Sequence, residues 1–201
     1  MDTMRWAFYR PYGGMKDLWG NTIGFYTGTI NSVCGFLKGK GWKFRNYCHV
    51  EIGMKVADVR AVLNRRSDLN KGKLVLTIFG LSDDAYIYYS SASRNPDGTN
   101  GTRWGTEETL FKNHDRWDVY EVTSLRSTEA MVETCQAEVD KPYDYTGLAS
   151  FLTLFGLINE KLKWYCSEIC YHIFSGKWVR RISPFAAFLE IELRIIKEIL
   201  V

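Results

Sequence analysis

A cysteine and a histidine carry the chemistry this chain could do. Cys166 lies in the run Trp164-Tyr165-Cys166-Ser167-Glu168, at the start of an expected helix, and His49 lies far upstream in Tyr47-Cys48-His49-Val50-Glu51-Ile52. The thiolate is the nucleophilic form of cysteine, and a helix N-terminus and a neighbouring imidazolium each favour it. A histidine beside such a thiol takes its proton and later delivers a proton to the leaving group. If the two side chains meet, the pair is the centre of a cysteine hydrolase or acyltransferase.

The remaining candidates narrow by position. The chain has 3 histidines. His172 follows Cys166 by six residues, on another face of the same helix, and His114 sits in the polar run Lys112-Asn113-His114-Asp115, which leaves His49 as the partner. Cys170, one helical turn after Cys166, is expected to be a buried core residue. Glu51 shares a strand face with His49 because their spacing is two, which makes it a candidate to orient the imidazole. The backbone N–H of Cys166, at a helix start where amides lack intrahelical acceptors, is a candidate oxyanion donor. Glu168, in the first turn, is read as structural.

No metal or cofactor is implied. There is no C-x-x-C, and the adjacent Cys48 and His49 would point to opposite faces of a strand, which argues against zinc. Gly39-Lys40-Gly41 lacks both the upstream glycine and the following Lys-Ser/Thr of a phosphate loop.

The elements that must position these residues fit one domain. At 201 residues and 46% hydrophobic, the chain can bury a core, and 15% aromatic content suits half-buried strands or a ligand groove. The net charge of +3 is scattered, with basic residues adjacent only in pairs such as Arg65-Arg66 and Arg180-Arg181, so no nucleic-acid partner is expected. Five cysteines at irregular spacing do not form a disulfide framework. The start Met1-Asp2-Thr3-Met4-Arg5 shows no signal peptide, residues 147–158 are too short to span a bilayer, and residues 185–201 carry five charges. A cytoplasmic protein is therefore expected.

Strands are expected at residues 6–10, 43–53, 73–80, 85–91 and 117–122. Residues 94–105 read as a loop around Asn95-Pro96-Asp97-Gly98 and Asn100-Gly101. A helix or turn is expected at 59–63. Further helices are expected from Ser127-Thr128 to Val139, from Tyr165 to Phe174 with Gly176 as its stop, and from Ser183-Pro184 to about residue 201. Residues 147–158 read as an apolar helix or buried segment, and residues 18–37 have mixed helical character. The class is α+β, with strands mainly before residue 125 and helices mainly after. The apolar stripe of residues 184–201 is expected to dock on the domain, with peripheral membrane contact or self-association as the less favoured reading.

Three segments in order resemble one family. Tyr47-Cys48-His49-Val50-Glu51-Ile52 is similar to a His-Val-Glu strand, Lys141-Pro142-Tyr143-Asp144-Tyr145-Thr146-Gly147 to a Tyr-Asp-aromatic-x-Gly approach, and Trp164-Tyr165-Cys166-Ser167-Glu168 to an aromatic-Cys-Ser-Glu nucleophile motif. With His before Cys, the chain resembles the circularly permuted NlpC-type papain-like amidases, which include YiiX-type proteins and relatives of lecithin:retinol acyltransferase. Ala7-Phe8-Tyr9-Arg10 and Tyr89-Ser90-Ser91-Ala92 also resemble small variants from phage genomes. The resemblance implies a small antiparallel sheet or half-barrel packed against the nucleophile helix, with Cys166 and His49 catalytic and Tyr143 and Tyr165 lining the site. It also implies a third polar group. Glu51 is the first candidate and Ser90, on the following strand, the alternative; the stretch Tyr88-Tyr89-Ser90-Ser91 offers hydroxyls and no carboxylate. The expected activity is hydrolysis of amide bonds in peptide or N-acyl substrates, such as cell-wall peptides, through an acyl-enzyme. The alternatives are an acyltransferase or lipid hydrolase with the same site, and a catalytically inactive binding module.

Overall fold

A computed structural model describes residues 2–11, 47–69, 72–92, 95, 98–111, 114–145, 163–179 and 182–199. The expectations for residues 18–37, 43–46 and 147–158 lie outside the described residues. Strands β1 (Thr3–Tyr9), β2 (His49–Lys55), β3 (Tyr86–Ala92), β4 (Gly101–Thr106), β5 (Trp117–Thr123) and β6 (Ile195–Ile199) form an open antiparallel sheet in the order β4-β3-β2-β1-β5-β6. The accompanying helices are α1 (Val56–Arg65), α2 (Gly72–Ile78), α3 (Glu107–Leu110), α4 (Thr128–Glu138), α5 (Cys166–Ser175) and α6 (Pro184–Ile191). The class is α+β.

Side-chain alternation along the strands divides two apolar clusters. Trp6 and Phe8 of β1, Val50 and Ile52 of β2, Tyr89 of β3 and Tyr120 and Val122 of β5 join the larger one with α4, α5 and α6. Ala7, Tyr88, Trp117 and Val119 join Phe111 in the smaller one. Phe8 is the aromatic centre of the larger core, with ring centroids 4.9 Å from Tyr47, 5.6 Å from Phe188 and 5.8 Å from Trp6.

Local chemistry sets the helix ends. Ser183 caps α6 by accepting from Ala186 N at 3.1 Å, with Pro184 in its first turn. Gly176 ends α5 at φ 70, the left-handed conformation that suits glycine.

Three expectations are corrected. Residues 73–80, expected as a strand from their β-branched run, fall in helix α2 up to Ile78 and in a turn beyond it; Leu74 and Ile78 share one helical face and both are buried. The loop expected across 94–105 gives way to strand β4 from Gly101 onward. Gly101 permits it: at φ 109 its Cα lies against the Lys141 carbonyl, where a Cβ would collide. The last helix ends at Ile191 rather than near residue 201. A 3-10 turn (Glu192–Arg194) follows, and Ile195–Ile199 pairs with β5 as an edge strand, so one strand lies well beyond residue 125.

The feature that positions the site is a fork between β2 and β3. Their ladder runs from Lys55↔Tyr86 only to Ile52↔Tyr89, although β2 continues back to His49 and β3 onward to Ala92. Beyond the last pair β2 stays with β1, through Tyr9↔His49, and β3 stays with β4, through Ala92↔Gly101. Helix α5 packs at this divergence. Cys170 Sγ lies 3.6 Å from the Val50 carbonyl oxygen and 3.7 Å from that of Tyr89, and Ser90 Oγ donates to the Val50 oxygen at 2.6 Å. The sulfur and hydroxyl thus occupy acceptors that a continued ladder would have used.

Candidate active site

His49 opens β2 and Cys166 opens α5, and the fork brings these two starts together. The His49 ring donates from or accepts at Nε2 with Glu51 Oε1, 2.8 Å away. Cys166 is the other group that acts on the ring, close enough for its charge to raise the His49 pKa. Trp117 closes one side of the imidazole, edge to face at 6.1 Å. Cys166 and Glu51 are fully buried, whereas the His49 side chain keeps 22% exposure.

The electrostatics favour a charged ring. Burial works against the imidazolium, but the neighbouring Cys166 and then Glu51 outweigh it, and the His49 pKa rises to about 9. Burial likewise opposes ionisation of Glu51. Arg103 and then His49 overcome it, so the Glu51 carboxyl is held below its ordinary range. Arg103 Nη2 donates to Glu51 Oε1 at 3.0 Å and Nη1 reaches Oε2 at 3.5 Å. The arrangement is a linear chain: a guanidinium holds a carboxylate, the carboxylate holds an imidazole, and the imidazole faces a thiol.

Arg103 falls within residues 94–105, whose turn residues read as a loop, so the sequence does not mark it. Its place is set by β4, where it sits opposite Ser90 of β3. A small residue at that position leaves room for the long side chain to cross β3 toward Glu51. The available signal was a carboxylate expected on a buried strand, which needs a cation, together with the alternation of Thr102, Arg103 and Trp104 between two glycines.

Ser90 is not placed on His49. Its hydroxyl is directed at the Val50 carbonyl, so Glu51 is the carboxylate that meets the imidazole. Ser91 instead fixes the approach to Cys166, donating to the Trp164 carbonyl at 2.7 Å. The same carbonyl accepts from Asp144 N at 3.1 Å, and Trp164 N donates to the Pro142 carbonyl at 3.2 Å, so residues 142–144 run beside the entry to α5. Trp164 Nε1 also bonds Glu138, and Ser167 Oγ donates to the Ile182 carbonyl. Glu168 folds back to accept from Tyr165 N at 3.4 Å, the first-turn structural role expected of it.

Tyr143 and Tyr165 stand beside Cys166 with ring centroids 5.9 Å apart. Burial, and after it the charge of Cys166, pushes both phenols well above their ordinary pKa. They therefore remain neutral hydroxyls beside Cys166. Tyr145, half exposed, extends the aromatic wall outward at 5.0 Å from Tyr143. Cys166 is the first residue of α5, so its backbone N–H has no acceptor within the helix.

His172 lies away from this cluster, stacked on Trp164 at 5.2 Å. Cys48, Cys135, Cys166 and Cys170 are free thiols. Among the described residues no group of three His, Cys, Asp or Glu side chains could hold a metal ion, and no helix is long and apolar enough to cross a membrane. Comparison of this chain with protein-family models, with curated proteins and with solved structures gives no match.

Proposed function

We propose that this protein is a cysteine hydrolase of amide bonds, working through a thioester on Cys166 and built on a permuted papain-like arrangement of the NlpC type. The observation that carries the reading is the imidazole of His49 held between the Cys166 thiol and the buried, Arg103-paired carboxylate of Glu51.

The reaction follows from these roles. The Cys166 thiolate attacks the amide carbonyl carbon, and the oxygen takes up the negative charge beside the Cys166 backbone N–H and the Tyr165 hydroxyl. The imidazolium of His49 passes its proton to the amide nitrogen as the C–N bond breaks, releasing an amine and leaving the thioester. Water then gives a proton to His49 and attacks the thioester. The products are a carboxylic acid and the free thiol. Glu51 keeps the ring oriented and stabilises its charge throughout, without itself taking the proton. The aromatic wall of Tyr143, Tyr165 and Tyr145 suits a peptide or N-acyl substrate over a highly charged one.

The test pairs a chemical label with a substrate. Iodoacetamide near neutral pH is expected to modify Cys166 ahead of the other cysteines, and His49→Ala is expected to slow that modification. Cell-wall peptides and N-acyl amides supply the substrate arm, with the acyl group sought on the Cys166 peptide by mass spectrometry. Equal labelling of all the cysteines would sink the proposal. An acyl group passed to an added amine or lipid in preference to water would convert it to an acyltransferase.

A further inference from the structure

A cavity of about 680 Å³ lies along the outer edge of β4, lined by residues of β4, α2 and α3 and of the loops before β4 and after α4. Neither Cys166 nor His49 lines it, yet Arg103 does. The same guanidinium bonds Glu51, which bonds His49, so two side chains separate the cavity wall from the imidazole.

Among the described residues, the β4 edge presents a single open main-chain position there. Thr102 turns its N–H and C=O outward, where they meet the Lys141 carbonyl and the Asp140 N–H. In an antiparallel strand every second residue faces the same way, so Trp104 and Thr106 also turn outward. The Thr106 N–H is taken by Thr109 Oγ1 at 3.0 Å. That leaves the N–H and C=O of Trp104, between two positions already satisfied, facing the cavity. Unpaired edge groups of this kind are a template for another extended chain.

The side chains add the same requirement. Among the described residues, three buried polar atoms without a partner belong to residues of this cavity: Arg103 Nε and Trp104 Nε1, which donate, and Asn95 Oδ1, which accepts. Buried polar groups are nearly always paired, so these atoms call for a ligand with both carbonyl oxygens and N–H groups. Leu76, Leu110 and Val139 supply apolar contact beside them. The volume falls within the range of small-ligand sites.

We infer that this cavity binds an extended peptide segment, which pairs with the main chain of Trp104 as a short added strand. A peptide alternates carbonyls and N–H groups along its length and so answers both the edge and the orphaned side chains. The inference rests on the amide-hydrolase reading for its purpose: the segment would be part of a peptide substrate remote from the scissile bond, whose binding energy helps position the reacting amide. Binding itself needs no turnover.

The test uses the full-length Cys166→Ala protein, ¹⁵N-labelled, titrated with a mixture of blocked tetrapeptides and separately with the same mixture methylated on every amide nitrogen. The plain mixture is expected to shift the Trp104 backbone amide, its indole N–H and the Asn95 side-chain amide, and the methylated mixture to leave them in place. Adding Thr77→Trp, which fills the cavity from α2, is expected to abolish the shifts while the rest of the spectrum is retained. Absent shifts at Trp104, equal shifts with both mixtures, or shifts that survive Thr77→Trp would overturn the inference. Because the protein tested lacks the nucleophile, none of these outcomes bears on whether Cys166 cleaves amides.

Discussion

Cys166 and Cys170 are the same residue type, on the same helix, one turn apart and both fully buried, yet their surroundings differ. Cys170 Sγ lies against three oxygens: the carbonyls of Val50 and Tyr89 and the hydroxyl of Ser90 at 3.8 Å. Burial, followed by the charges of Glu51 and Cys166, pushes its pKa well up, so it stays a thiol and serves as a donor that closes the fork. Cys166 lies at the helix start, against a basic ring that a carboxylate holds in place. The difference teaches that two buried cysteines one turn apart can have opposite surroundings. What decides its role is whether the groups around it accept a proton's hydrogen bond or stabilise the charge left when the proton goes.

The largest expected effect separates the two cysteines outright. Cys166→Ala is expected to lower kcat for amide hydrolysis by about five to six orders of magnitude, the loss that follows removal of a covalent nucleophile. Cys170→Ala is expected to leave kcat within about twofold and to cost about 1 kcal/mol of stability, the ordinary cost of a buried truncation. Steady-state kinetics and urea unfolding on the same two variants measure both. A reversed pattern would break the comparison.

Removing the base comes next. His49→Ala is expected to lower both iodoacetamide labelling of Cys166 and hydrolysis by about 10² to 10⁴-fold, with Cys170 labelling unchanged. Ring charge also sets a pH dependence. Because the folded pKa of His49 is raised to about 9, its contribution to stability is complete below its unfolded value near 6.5 and is lost as pH rises through about 9. The melting-temperature gap between the native protein and His49→Gln should therefore shrink between pH 6.5 and 9. Hydrolysis should fall over the alkaline end of that window as the ring stops supplying a proton.

Arg103 tests the far end of the chain. Arg103→Met leaves a buried carboxylate without its cation, a loss of about 3–5 kcal/mol. The sign of the acid limb is opposite to that of His49. The Glu51 carboxyl is held below its ordinary value, so its contribution is present above the unfolded value and is lost as pH falls through the folded one. Without Arg103 the folded value rises, and acid loss of stability and activity should begin at higher pH. Arg103→Lys keeps the charge and should recover part of the shift, while losing the two-pronged contact. An acid limb that does not move would show that Arg103 only fills space.

Much of this contrast was legible in the residues. The start of α5 at Cys166 and its stop at Gly176 were marked by local chemistry, and so was the cap at Ser183-Pro184. Strand spacing also put Glu51 on the His49 side. What stayed hidden depended on contacts distant in sequence. The run Leu74-Val75-Leu76-Thr77-Ile78 has strand composition, yet α2 exposes Leu76 and buries Leu74 and Ile78, a division only the neighbouring sheet decides. Asn95-Pro96-Asp97-Gly98 and Asn100-Gly101 make the start of β4 read as a loop, because the Lys141 carbonyl that requires Gly101 lies forty residues away in the chain. Losing β4 meant losing Arg103. Ile195-Ile196 continues an apolar stripe and so reads as helix, and the pairing of Ile195 with Val122 and of Ile199 with Val119 of β5 sets the outcome.

The smallest expected effect falls on Ser90, and it sharpens the comparison most finely because Ser90 stands between the two environments. Its hydroxyl touches Cys170 Sγ and donates to the Val50 carbonyl, and it belongs to the strand from which a third catalytic group could have come. Ser90→Ala removes one donor from the Val50 oxygen but leaves Cys170 Sγ at 3.6 Å from the same oxygen, so the acceptor is not orphaned. The cost in stability should be about 1 kcal/mol or less. Hydrolysis at neutral pH and both limbs of the pH profile should stay where they are, since Glu51 and Arg103 remain. Glu51→Gln run alongside should instead lower the alkaline limb, because the His49 ring loses the charge that helps keep it protonated. If Ser90→Ala moved the profile and Glu51→Gln did not, the orienting group would be the hydroxyl. Cys170, as that hydroxyl's neighbour, would then belong to the catalytic environment it is here set apart from.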